Sequence, residues 1–202
     1  DDAGGKAQRA FLHSEAHMRV HLFEVFCRRL HIPVTDYLTT NGTVPYEKLK
    51  TAFTILFALP GMPTIYYGDE IGLAGAGDPD NRRAMPWSGV SAIQESVRAH
   101  VAALAAARRA NPGLARGTLQ QVWIENDLLV LERRWTDDAA GVHRAYLAIN
   151  RGAAARSIAP QVAAANGTAF TDAVGSGSAT VSGGSLVIDV PAYGSALYLP
   201  AP

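Results

Sequence analysis

Asp78, Asp80, Arg82 and Arg83 crowd into six residues of a glycine-rich loop, with Tyr66 and Tyr67 before them and Trp87 after. A carboxylate can accept two hydroxyl hydrogens and a guanidinium can donate in a fixed fork, so Asp78 and Arg82 suit a hydroxyl-bearing ligand. The same four charges could equally close the loop on itself as ion pairs. Tyr66 and Tyr67 fall in a β-prone run over 64–67, where neighbouring side chains alternate in direction; at most one faces a pocket, and core packing is the competing role for either. Asp69 and Glu70 are adjacent on the same extended stretch and cannot flank one bond, so their expected work is hydrogen bonding that shapes the end of the run.

The remaining reactive side chains form no constellation. His13 and His17 stand four apart, a helical metal spacing, but Phe11-Leu12 suggests a strand and no third ligand is evident. Cys27 is the single cysteine, which rules out an intrachain disulfide and a thiolate cluster and leaves a small buried hydrophobe. His100 and His143 are expected at the surface. Ser88-Gly89-Val90-Ser91 lacks the frame of a nucleophile elbow, and Gly72, Gly75 and Gly77 lack the strand-then-helix setting of a dinucleotide fingerprint. No metal and no cofactor is implied.

The elements that carry these residues change character near residue 115. Before it the period is helical. Tyr46, Leu49, Phe53, Leu56 and Phe57 recur three or four apart behind Pro45, and Pro60-Gly61 ends that helix. A second helix opens at Ser91, with Gln94 placed for a capping box, buries Ile93, Val97, Val101 and Leu104, and ends at Asn111-Pro112-Gly113. Helix, strand, loop and helix in this order are the rhythm of a parallel sheet or barrel. Residues 1–44 are less regular, with a loose helical pattern over 19–30 and an exposed loop over 35–43. After residue 115 the pattern predicts short strands at 118–124, 128–135, 144–150, 154–158, 168–173, 178–181, 185–190 and 195–199, separated by turns. Leu186, Ile188 and Val190 alternate with Val187 and Asp189, as in a strand with one face inward. The domains are therefore drawn at 1–115 and 116–202, the second an antiparallel β-sandwich.

The 202 residues hold eighteen basic and eighteen acidic side chains, with 48% hydrophobic residues. That balance offers no footprint for nucleic acid or an anionic membrane, and no run of 18 apolar residues suggests a membrane span. The start, Asp1-Asp2-Ala3-Gly4-Gly5-Lys6, lacks the form of a signal peptide, but a chain expected to begin inside a domain leaves its compartment undecided.

The run from Leu59 to Trp87, containing Gly-Met-Pro-Thr-Ile-Tyr-Tyr-Gly-Asp-Glu and Asp78-Pro79-Asp80-Asn81-Arg82, resembles the last barrel strand and following loop of the α-amylase family, glycoside hydrolase family 13. The ending from Gly184 to Leu199 is similar to that family's C-terminal β-domain. The resemblance implies the C-terminal part of an incomplete (β/α)8 TIM barrel followed by an antiparallel β-sandwich, taken from a retaining hydrolase of starch or maltooligosaccharides. It implies that Asp78, Arg82 and Tyr67 bind α-glucan at the rim of the cleft, and that Trp87 stacks on a sugar or anchors the loop on the barrel. Retaining hydrolysis needs two carboxyl groups about 5 Å apart. The family's nucleophile and acid segments are expected before residue 1, so this chain alone is expected to be inactive. Phe11-Leu12-His13-Ser14-Glu15-Ala16-His17-Met18-Arg19 aligns with a further active-site motif, but Glu15 and Ala16 replace its His and Asp. An alternative follows, a non-catalytic, degenerate or truncated module with at most a carbohydrate-binding or subunit-contact role. The expected partners are an α-glucan or maltooligosaccharide, and an N-terminal barrel fragment or a second copy of the chain covering the open edge near 9–13 and 64–67.

Overall fold

The computed structural model describes residues 43–75, 79, 82–139 and 141–201. Phe11 to Arg19, Cys27, Asp78 and Asp80 lie outside them, as does the expected edge near 9–13.

Helix α1 (Val44–Ala58) begins with Pro45 in its first turn and ends at Leu59, whose backbone is extended ahead of Pro60. A residue before proline is pushed away from helical geometry, which is why the helix stops there. Helix α2 (Ala92–Ala110) carries the capping box the sequence predicts, Gln94 N–H to the Ser91 hydroxyl and Ser91 N–H to the Gln94 side chain. The Asn111-Pro112-Gly113 signal ends α2 and also opens a short helix that the pattern did not indicate, α3 (Pro112–Arg116). Asn111 caps it by accepting from Gly113 N–H at 2.8 Å.

Eight strands follow: β1 (Thr118–Ile124), β2 (Leu128–Asp137), β3 (Gly141–Asn150), β4 (Arg156–Ile158), β5 (Ala169–Asp172), β6 (Ser178–Thr180), β7 (Ile188–Val190) and β8 (Ser195–Pro200). Six form one antiparallel sheet in the order β1-β2-β3-β8-β5-β6, and β4 pairs with β7 in a second. Register places Val130 beside Ala148 and Ala148 beside Ala196, while the next row joins Leu131, Leu147 and Leu197. Adjacent rows point to opposite faces, and each face is covered. The first row packs with Ile158, Leu186, Ile188 and Val190 around β4 and β7. The second packs with Phe53, Phe57, Val97 and Leu104 from α1 and α2. Val187 is exposed between buried Leu186 and Ile188, as the alternation predicts.

A third row, Glu132, Tyr146 and Tyr198, is buried beneath the second sheet. Glu132 receives the Tyr146 hydroxyl at 3.1 Å and an ion pair from Arg144, so its charge does not lie unpaired in the core. Burial first, and the adjacent Glu132 carboxylate second, hold the Tyr146 phenol well above its usual range.

Candidate functional site

The loop between α1 and α2 carries the residues singled out above. Its entry is bent by Gly61, at a φ of +107°. The predicted strand over 64–67 is not formed: residues 62–66 carry no regular structure and join neither sheet among the described residues. High β propensity describes a side chain that fits a pleated, half-buried surface, and this segment has no described neighbour to supply the ladder.

Losing the pleat changes where the tyrosines point. Tyr66 and Tyr67 do not alternate; both are exposed, and their rings lie 4.5 Å apart at 43°. The Tyr67 phenol is raised above its ordinary value, chiefly by a hydrogen bond with the Tyr66 side chain and then by desolvation, while the positive charge of Arg82 pulls it down. Arg82 is thus near enough for its charge to be felt at Tyr67. Asp78, the third predicted residue, lies outside the described residues. Within this chain Tyr66 and Tyr67 are not core residues, and Trp87 is 89% exposed, alongside Met62 at 85%.

Beyond the tyrosines the chain folds into a 3-10 turn, Asp69–Ile71, bracketed by Gly68 and Gly72 in left-handed conformations. Ile71 is fully buried and roots the turn in the fold. A side chain at Gly72 would also collide with Tyr46 of α1, its Cβ falling 2.9 Å from the ring. Glu70 accepts from Gly68 N–H at 2.8 Å, the shaping role the sequence suggests for this pair. Asp69 is pushed up to about 6, mainly by burial and further by the Glu70 charge, against an opposing hydrogen bond from the Tyr66 backbone.

Three residues were misread or passed over in the sequence. His100 is not a surface residue. It is half-buried with Nε2 2.8 Å from the Thr54 hydroxyl, and burial, followed by the Lys50 charge, lowers it to about 4. Thr54 also receives the Ser195 hydroxyl at 2.9 Å, so this contact joins α1, α2 and β8. Arg108 and Arg133 are buried beside the end of α1. The available signal was a charge in an apolar register, Arg133 two residues after Leu131 and Arg108 four after Leu104. Among the described residues, no group of three or more His, Cys, Asp or Glu side chains could hold a metal ion.

Two phenols and a guanidinium on one exposed loop offer flat apolar surface beside hydrogen-bond donors and acceptors, a set suited to a neutral polyhydroxylated ligand. No family model matches the chain. It is 33% identical over 162 residues to an amylopullulanase of Thermoanaerobacterium thermosulfurigenes, covering 76% of this chain and 8% of that protein. It is 33% identical over 136 residues to a cyclomaltodextrin glucanotransferase of Bacillus sp. (strain 17-1), covering 67% and 18%. The crystal structure of an Anoxybacillus α-amylase superposes with a TM-score of 0.66 at 25% identity, over 78% of this chain and 33% of that one.

These relatives define a class, the glycoside hydrolases and related enzymes that act on α-glucans. Over the part that aligns, the chain belongs to the α-amylase family, glycoside hydrolase family 13. The chain spans less than a fifth of the length of either curated relative. Its mostly antiparallel sheet with few helices is consistent with the family's C-terminal β-domain.

Proposed function

We propose that this chain supplies the rim of the glucan-binding cleft and the β-domain of a retaining α-glucan hydrolase. Residues 1–115 are the end of its (β/α)8 barrel and residues 116–202 its C-terminal sandwich. Tyr67, Arg82 and Asp78 contact the sugar, and the nucleophile and general acid belong to barrel segments outside this chain. The observation that supports the reading is that Tyr66, Tyr67 and Arg82 stand exposed on one loop of a chain that belongs to this family.

The test is kinetic and uses the protein that contains these residues in their full reading frame. Removing a charged hydrogen-bond partner of a substrate hydroxyl costs about 1.5–3 kcal/mol. Arg82→Ala is expected to lower kcat/KM for maltooligosaccharides by roughly tenfold to a hundredfold at unchanged thermal stability. Unchanged kcat/KM with reduced stability would assign Arg82 to holding the loop and would remove the rim reading.

A further inference from the structure

We propose that Arg108 and Arg133 are positioning residues, a double guanidinium clamp on the end of α1 that sets where the loop bearing Tyr66, Tyr67 and Arg82 leaves the fold. The loop's part in sugar contact rests on the function proposed above; the clamp itself does not.

The last carbonyl oxygens of a helix lack partners within it, and they form the negative end of its dipole. Helix α1 has no basic residue in its own last turn. The missing donors come from two other elements. Arg108 of α2 donates to the carbonyls of Phe57 and Gly61, and to that of Leu59 at 3.1 Å. Arg133 of β2 donates to Ala58, and to Gly117 at 2.6 Å. Four carbonyls around one turn are thus held by two planar forks, one anchored in the helical layer and one in the sheet.

The arrangement is costly, which argues that it fixes geometry rather than merely adding stability. Arg108 is 9% exposed and Arg133 1%. Desolvation lowers both below the usual guanidinium range, and the nearby Arg108 charge lowers Arg133 further. The Arg133 Nε is buried without a partner. Apolar side chains of similar volume would fill this space with less desolvation, but they could not hold a turn in one direction. That turn needs holding. It contains Pro60, which has no N–H to give, and Gly61 in a backbone conformation that side chains oppose. Pro63 stiffens the short path from Gly61 to Tyr66, and buried Ile71 fixes the far end of the tyrosine segment. The tyrosines are suspended between the clamp and Ile71.

Amide hydrogen exchange on the 202-residue chain tests the clamp. The amides of Asp69, Ile71, Gly72 and Leu73 are hydrogen-bonded within the loop, and those of Tyr146 and Leu147 lie in the central strands, so local and global opening are read together. Arg108→Lys and Arg133→Lys keep the charge but lose the fork. Each is expected to speed exchange of the four loop amides at least tenfold, with the strand amides within twofold of wild type. Uniform acceleration at all sites, or no acceleration, overturns the proposal. If Arg133→Lys does not fold, Arg108→Lys carries the same test. Maltotriose titration of the full-length protein separates the two readings. Selective loosening with weakened binding supports both, whereas selective loosening in a protein whose wild type binds no maltotriose supports the clamp and removes the glucan reading.

Discussion

The central strands of the six-stranded sheet and the loop between α1 and α2 treat large apolar side chains in opposite ways. In those strands, both faces are covered, by helices on one side and a two-stranded sheet on the other, so Phe170, Leu197 and Tyr198 are almost completely hidden. In the loop, Met62, Tyr66, Tyr67 and Trp87 all face outward. The sheet is therefore specified by its own packing, while the loop is specified only at its roots, by Ile71, the left-handed glycines and the carbonyls of the α1 turn.

The sharpest break of this contrast is a matched pair of truncations. Phe170 is buried against Tyr146 in an edge-to-face contact with centroids 5.3 Å apart. Phe170→Ala is expected to cost about 3–5 kcal/mol in denaturant unfolding. Trp87→Ala, removing a larger side chain, is expected to fall within about 0.5 kcal/mol of wild type. Comparable losses would mean that the loop is packed after all.

Acid titration sharpens the comparison, because His100, packed between α2 and α1, and Asp69 of the loop are displaced in opposite directions. His100 is lowered from 6.5 to about 4 in the fold, so the unfolded chain binds protons more readily, and stability is lost as pH falls through that window. Asp69 is raised from 3.8 to about 6, so the folded chain binds protons more readily, and stability is gained as pH falls from about 6 towards 3.8. The two contributions partly cancel between about pH 6 and 4. Thermal melts across pH 7 to 4 are expected to show a weaker acid loss for His100→Gln and a steeper one for Asp69→Asn. Parallel profiles for all three proteins would mean that neither group is buried as described.

The same division governs what could be read from the sequence. All eight strands lie close to where β-prone runs and turn residues placed them, because the glycine and polar turns between them are local signals that do not depend on which face is covered. Helices α1 and α2 were legible through Pro45, the Ser91 and Gln94 box and a regular apolar stripe. The run over 64–67 misled because propensity does not supply a pairing partner, and without the pleat the inference that Tyr66 and Tyr67 face apart fails. Arg108, Arg133 and His100 were missed for another reason. Their partners are the carbonyls of Phe57, Ala58 and Leu59 and the hydroxyl of Thr54, contacts that exist only once α1, α2 and β2 are assembled.

The central claim is that this chain holds a glucan-facing rim without the groups that cleave the bond. Reducing-sugar release from maltooligosaccharides by the purified 202-residue chain tests it most directly. The account predicts no release above buffer. Release that Asp69→Asn or Glu70→Gln abolishes would contradict it, because the acidic pair assigned here to shaping a turn would then be performing the chemistry.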